Sequence, residues 1–178
     1  MLKLEYLQSA AACPEKILFL DIETTGLNRY DNEITLIGWS LDNAYGVWIN
    51  GMGLEEFSAH VTRAETIVTY NGSSFDLPFI QRAFPRLNFP QYHIDLRYWA
   101  KAVGLSGGQK KIEEILGVER PQDVQGVAGR DAVLLWYRYL QGDRFALQQL
   151  IHYNKADIEG LKVIFQHVAK RHLGVVAR

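Results

Sequence analysis

The stretch LFLDIETTGLN, residues 18–28, ends an apolar run in two acids and continues into a Thr-Thr-Gly turn. The run is short, rich in β-branched and aromatic residues and flanked by proline and glycine, which predicts a buried strand over residues 16–22. Side chains alternate along a strand, so Asp21 and Glu23 point to the same side of it. Two like charges placed in this way repel each other unless a cation lies between them.

The chain has 178 residues, of which 48% are hydrophobic and 22% charged. This composition predicts one globular domain, residues 1–178, with a substantial core. The sequence contains no run of about 20 apolar residues that could span a membrane, and it contains no secretory signal. We therefore expect no membrane association and a cytoplasmic location. The single cysteine, Cys13, cannot form an internal disulfide, and a small tolerated side chain explains it better than a nucleophile.

The charge of the chain is nearly balanced, with 19 Lys and Arg against 20 Asp and Glu and a net charge of -1. No global field therefore attracts a polyanion, and any attraction of nucleic acid has to be local. Candidates for a local patch surround a glycine-bearing loop at residues 104–108: Lys101, Lys110, Lys111 and Arg120. Solvated lysines on an amphipathic helix are the alternative interpretation.

The rest of the chain predicts a mixed sheet with helices packed on it. After the first strand come a hairpin, a helix, a strand, a helix and a short strand, at 34–41 with 45–50, 54–64, 66–71, 74–84 and 92–96. The remainder has helical patterns, ending in a long run over residues 145–172. The glycine-rich segment 104–130 is the least regular part and is a candidate for a substrate-facing loop or an ordinary surface connection.

Further acids lie at predicted element boundaries. In YNGSSFDLPF, residues 70–79, Asp76 starts a helix, where a carboxylate is favoured electrostatically. A simple first-turn acid or helix cap would give the same pattern. In HYNKADIEGL, residues 152–161, Tyr153 and Asp157 are four residues apart and share one helix face. An amphipathic helix with a core tyrosine would explain this pair equally well.

Taken together, these four carboxylates indicate a metal site. Each one follows or ends a hydrophobic element of the same predicted core, and unpaired carboxylates at a dry rim are costly unless a multivalent cation neutralises them. An all-oxygen ligand set without cysteine or a histidine pair suits Mg²⁺ or Mn²⁺ rather than zinc.

Three motifs in order resemble those of the DEDD superfamily of 3'-to-5' exonucleases. They are DIETTG at residues 21–26, YNGSSFD at residues 70–76 and YNKAD at residues 153–157. The stretches NGxxFDxPF, SGGQKKIEEILGVER and AVLLWYRYLQGD are similar to the YprB-type ribonuclease-H-like domains of prokaryotes. The resemblance spans residues 16–170.

The resemblance implies an α/β, ribonuclease-H-like fold with a five-stranded mixed sheet and helices on both faces. It implies hydrolysis of terminal phosphodiesters by a two-metal mechanism, with release of nucleoside 5'-monophosphates from a free 3' end and without an organic cofactor. The implied ligands of two divalent cations, Mg²⁺ or Mn²⁺, are Asp21, Glu23, Asp76 and Asp157. The implied substrate-binding residues are Thr24, Leu27, Asn71 and Phe75, although core packing is an equal explanation for Phe75 and Leu27.

The residue that orients the attacking water is ambiguous in this sequence. The superfamily uses either a tyrosine four residues before the last aspartate or a histidine five before it, and both Tyr153 and His152 are present. In a continuous helix Tyr153 lies about 40° from Asp157 and His152 about 140°. We therefore favour Tyr153, and His152 would replace it if the helix began after residue 153.

Two other functions fit the same sequence. A ribonuclease-H-like endonuclease would carry the same acids, and a catalytically silent nucleic-acid-binding domain would need none of them. The presence of all four acids favours the nuclease. The modest charge favours a single-stranded end over a long duplex footprint, because each neutralised phosphate needs a nearby cation. Both DNA and RNA remain open as substrates.

Overall fold

The computed structural model describes residues 2–174. Its strands are β1 (Ile17–Thr24), β2 (Ile34–Leu41), β3 (Ala44–Ile49), β4 (Thr66–Thr69) and β5 (Tyr92–Asp95). They form one sheet in the order β3-β2-β1-β4-β5. The first three strands pair antiparallel, and β4 and β5 extend the sheet in parallel from β1. The predicted five-stranded mixed sheet is confirmed.

The described residues also form seven helices. They are α1 (Leu4–Ala12), α2 (Glu55–Arg63), α3 (Asp76–Ala83), α4 (Leu96–Ala102), α5 (Gln109–Ile115), α6 (Gly129–Leu140) and α7 (Arg144–Leu173). Segment 104–130 is more regular than predicted, because α5 and a short 3₁₀ turn lie within it. None of the helices described by the structure has the length and apolar character needed to cross a membrane.

The alternation along β1 explains how its acids reach the functional side. Leu18, Leu20 and Ile22 enter one core with α2 and α3, whereas Ile17 and Phe19 enter the opposite core with α1, α4 and α7. Helices therefore cover both faces, as expected. The strand continues past the predicted end at residue 22, because Asp21 and Glu23 stay paired with β2. Asp21 and Glu23 alternate in step with Ile17 and Phe19, so both acids point to the face of the sheet that α7 covers.

Local backbone conformations set the boundaries around the site. Asp42 and Asn43 have φ angles of 50° and 60°, as a two-residue hairpin turn between β2 and β3 requires. Asn71 has a φ of 64°, and β4 ends at Thr69 rather than at residue 71 as predicted. Helix α7 begins behind Asp143, whose carboxylate caps it, so residues 152–157 lie inside a continuous helix.

Candidate active site

Three carboxylates meet between the sheet and α7. Asp21 and Glu23 come from β1 and Asp157 from α7, and one oxygen of each lies within 4.8 Å of the others. Glu23 and Asp157 are buried and Asp21 is half-buried. The Glu23 Oε1 atom is buried without a hydrogen-bond partner within the described part of the chain. An orphaned buried carboxylate oxygen beside two further carboxylates is the donor set that a hard divalent cation requires.

Electrostatics within this acidic group favour protonation as long as no cation is bound. Burial raises the pKa of Asp21 and Glu23 well above their ordinary values, and the negative charge of Asp157 raises the pKa of each further. Burial also raises the pKa of Asp157, although Arg120 opposes that shift. A bound cation would reverse this balance, because it favours the charged form of each carboxyl.

Asp21 is held in place by α7. The Asn154 side-chain amide donates to Asp21 Oδ2 at 2.9 Å and accepts from the Tyr45 hydroxyl at 3.1 Å. Gly38 lies opposite Asp21 in β2, and a Cβ at that position would fall 1.6 Å from Asn154 Oδ1. The missing side chain of Gly38 therefore creates the space in which Asn154 orients Asp21.

Asp76 lies next to the acidic group without joining it. It is the first residue of α3, is buried, and accepts a hydrogen bond from the Ile22 amide at 3.1 Å. Its carboxylate is not among the oxygens that cluster within 4.8 Å. Burial raises its pKa from 3.8 to about 7, and its charge in turn raises the pKa of Asp21 and Glu23.

Tyr153 lines an open cleft of about 820 Å³ together with Asp21 and Asp157. Its hydroxyl oxygen accepts a hydrogen bond from Lys110 Nζ at 3.0 Å, which leaves its own proton free to be donated. Burial and the neighbouring carboxylates raise the pKa of Tyr153, so the hydroxyl stays protonated at neutral pH.

His152 lies outside this cleft. Its side chain is 61% exposed and bonds through Nδ1 to Asp123 at 2.8 Å. Because α7 is continuous through this region, Tyr153 and His152 point in different directions.

A buried ion pair restrains Asp157. Arg120 Nη2 donates to Asp157 Oδ1 at 2.5 Å, and the same guanidinium makes two bonds to Glu113, at 2.7 and 2.8 Å. Gln109 adds a bond to the Asp157 carbonyl at 2.7 Å. Gly160 makes room for this network, since a Cβ there would lie 2.0 Å from Glu113 Oε1. One oxygen of Asp157 is thus committed to arginine.

Comparison with known proteins shows the family to which the chain belongs. Residues 18–169 match the profile of the RNase_H superfamily. This chain belongs to the RNase_H superfamily. It is 27% identical over 182 aligned positions to "Uncharacterized protein YprB" of Bacillus subtilis (strain 168), covering 88% of this chain and 43% of that relative. The match confirms the resemblance to YprB-type domains, and the chain spans less than half of the relative's length.

Two solved structures share the RNase_H-like fold of this chain. The family B DNA polymerase of the hyperthermophilic archaeon Pyrobaculum calidifontis superposes with a TM-score of 0.66 at 16% identity, over 83% of this chain and 23% of the polymerase. The Nibbler EXO domain of Aedes aegypti gives a TM-score of 0.62 at 13% identity, over 94% of this chain and 84% of that domain.

The four residues expected to bind substrate differ in their exposure and in their position relative to the cleft. Asn71 lines the cleft and its Oδ1 accepts a bond from Arg97 at 2.6 Å. Leu27 is 86% exposed and open to a ligand. Phe75 is half-buried against Phe79, with ring centroids 4.9 Å apart, in agreement with the core-packing alternative. Thr24 is buried and bonds the Gly26 carbonyl through its hydroxyl.

Several residues that shape the site were not identified from the sequence. Asn154 lies inside the YNKAD motif, but its bond to Asp21 joins positions 133 residues apart. Glu113 and Arg120 lie in the segment SGGQKKIEEILGVER, where the pattern shows only an amphipathic helix and a following basic residue. The sequence suggests a place for Arg120 in a local basic patch, whereas the structure pairs it with Glu113 and Asp157.

Proposed function

We propose that this chain is a metal-dependent 3'-to-5' exonuclease that removes nucleoside 5'-monophosphates from the free 3' end of a single strand. The observation that carries the proposal is the group formed by Asp21, Glu23 and Asp157, with oxygens within 4.8 Å of one another at an open cleft. Membership of the RNase_H superfamily and similarity to a Nibbler EXO domain support it.

The acidic group is suited to divalent cations, and we propose two, Mg²⁺ or Mn²⁺. Asp21, Glu23 and Asp157 would hold them, with Asp76 as the fourth acid close by. When bound, such ions activate water and neutralise the charge that builds up on a phosphodiester during hydrolysis. The orphaned Glu23 Oε1 is the ligand atom that gains most from occupancy, because it has no other partner among the described residues.

The side chains of this protein then orient the reaction. The neutral Tyr153 hydroxyl would donate a hydrogen bond to the attacking water and so fix its orientation, while it keeps its proton and its oxygen accepts the bond from Lys110. Asn154 and Arg120 keep Asp21 and Asp157 in their conformations. Leu27, which is 86% exposed, is available to pack on the terminal base.

The test uses a single-stranded DNA and a single-stranded RNA, each labelled at the 5' end, with Mg²⁺ or Mn²⁺ and with EDTA as the control. We expect a ladder that shortens from the 3' end, requires the metal and is absent in Asp21→Asn, which keeps the shape of the side chain. The preferred sugar follows from comparing the two substrates.

Two results would contradict the proposal. Internal cuts that persist when the 3' end is blocked would indicate an endonuclease. Binding without any cleavage in either metal would indicate a silent nucleic-acid-binding domain.

A further inference from the structure

The cleft that contains the acids has a second, oppositely charged wall. Arg97 and Lys101 of α4 and Lys110 of α5 line the same 820 Å³ space as Asp21 and Asp157. Among residues 2–174, no carboxylate oxygen lies within 4 Å of any of these three cations. The cleft therefore has an acidic side, formed by Asp21 and Asp157, and a cationic wall, formed by Arg97, Lys101 and Lys110.

Two lysines outside the cleft have nearby carboxylate partners. Lys111 pairs with Glu114 at 3.2 Å and Lys162 with Glu159 at 2.8 Å. Arg97 and Lys101, in contrast, are exposed toward the cleft. They are four residues apart on α4, so they share one helix face at a spacing of about 6 Å along the axis. Such a row can contact successive phosphates of an extended strand.

The cationic wall is fixed relative to the acids by Asp95. This buried carboxylate accepts from the amides of Asn71 at 2.7 Å and Ser73 at 3.1 Å, and it also accepts from the Arg97 amide at the start of α4. Arg97 Nη1 completes the link with its 2.6 Å bond to Asn71 Oδ1. The loop that leads into Asp76 and the helix that carries Arg97 and Lys101 thus form one unit.

A glycine-rich loop that contains Gly107 and Gly108 also lines the cleft. Gly107 has a φ of 125°, a conformation that favours glycine, and its carbonyl accepts a bond from the Tyr70 hydroxyl at 2.5 Å. Gly108 has open space where a side chain would be. The loop therefore leaves the path along α4 free for a bulky polymer.

We propose that Arg97 and Lys101 form a phosphate track that binds the internucleotide phosphates on the 5' side of the cleaved bond. Lys110, which bonds Tyr153, stands at the end of this track nearest the acids. The inference rests on the proposed nuclease function and adds the path of the strand. It also gives a chain with a net charge of -1 a local site of attraction for a polyanion, because three cations without a carboxylate partner among the described residues line the cleft.

The test measures binding separately from cleavage. A 5'-fluorescein single-stranded oligonucleotide is titrated with the Asp21→Asn protein in EDTA at several KCl concentrations, and anisotropy gives the Kd. Removing one phosphate contact lowers the slope of log Kd against log salt by about 0.7 for a single strand. We expect this decrease for Arg97→Gln and for Lys101→Gln, and about twice the decrease for the double variant.

Matched controls separate charge from structure. Lys111→Gln removes an exposed lysine that is paired outside the cleft, so its slope should equal that of the parent. Arg97→Lys keeps the charge and should retain most of the slope. In proteins that retain Asp21, the glutamine variants should raise KM with little change in kcat.

Unchanged slopes in both glutamine variants, with the wild-type chain still degrading the oligonucleotide, would overturn the phosphate track alone. An oligonucleotide that is neither bound nor degraded would overturn the track and the nuclease proposal together.

Discussion

At the scale of single residues, the Tyr153 hydroxyl and the His152 ring are neighbours in sequence with different surroundings. Tyr153 is buried at the cleft and bonded to Lys110, whereas His152 is largely exposed and bonded to Asp123. We expect Tyr153→Phe to lower kcat by about 100-fold, because the water loses its orienting donor. The Kd for Mn²⁺ should hardly change, since the acids remain.

His152→Gln is the matched control and should keep activity within about 2-fold, because its side chain lies outside the cleft. Steady-state kinetics on a 5'-labelled strand check both variants. A large loss in His152→Gln with an active Tyr153→Phe protein would reverse the two assignments.

Single residues also show what the sequence could predict. The common direction of Asp21 and Glu23 follows from strand alternation, and the shared face of Tyr153 and Asp157 follows from helix geometry. The bond between Arg120 and Asp157 joins positions 37 residues apart. No local periodicity encodes such a contact, because it depends on how α5 and the following loop dock on α7.

At the scale of elements, Arg120 links the α5 region to α7, because it pairs with Glu113 of α5 and with Asp157 of α7. The side chains of Arg120 and Glu113 are 11% and 3% exposed. Arg120→Met should lower the free energy of unfolding in EDTA by about 3–5 kcal/mol, because it leaves Glu113 and Asp157 buried without their cation. Urea unfolding followed by circular dichroism gives this value.

Two comparisons test the cause of that loss. Arg138→Met breaks the exposed pair with Asp143 and should cost less than about 1 kcal/mol. Adding Glu113→Gln to Arg120→Met should recover part of the stability, because one uncompensated charge is removed. Equal losses in Arg120→Met and Arg138→Met would contradict the structural role of the buried pair.

Elements differ in how well the sequence predicts them. Strand β2 was predicted at its observed bounds, because the largely apolar run ITLIGWSL gives a strong signal. All eight of its residues are buried. Helix α1 was not predicted. Its N-cap, Lys3, makes no side-chain cap bond, and only Leu7 and Ala10 are buried. The helix is stabilised by packing against α7 and β5, a tertiary contact that the local pattern does not show.

At the scale of the whole molecule, the buried acids make stability depend on pH and on divalent ions. Burial raises the pKa of Asp76 from 3.8 to about 7. Between these values the folded chain holds a proton that the unfolded chain has released, so stability falls as pH rises through this range. For one such group the loss is on the order of 4 kcal/mol at most.

Asp76→Asn should therefore weaken the pH dependence. The amide oxygen can still accept from Ile22, so the bond at the start of α3 is preserved. In EDTA, the melting temperature of the wild-type chain should fall between about pH 5 and pH 8 more than that of the variant. Equal pH profiles for the two proteins would show that Asp76 is not the group responsible.

The most direct test of the metal site is to measure Mn²⁺ binding and strand cleavage on the same samples of the wild-type chain and Asp157→Asn. Calorimetry gives occupancy, and a 5'-labelled single strand gives the rate. We predict saturable binding to the wild-type chain, a cleavage rate that rises with occupancy, and the loss of at least one ion and of about 100-fold in rate in Asp157→Asn. Full cleavage in EDTA, or a variant that cleaves normally without the ion, would contradict the assignment of these carboxylates to a catalytic metal site.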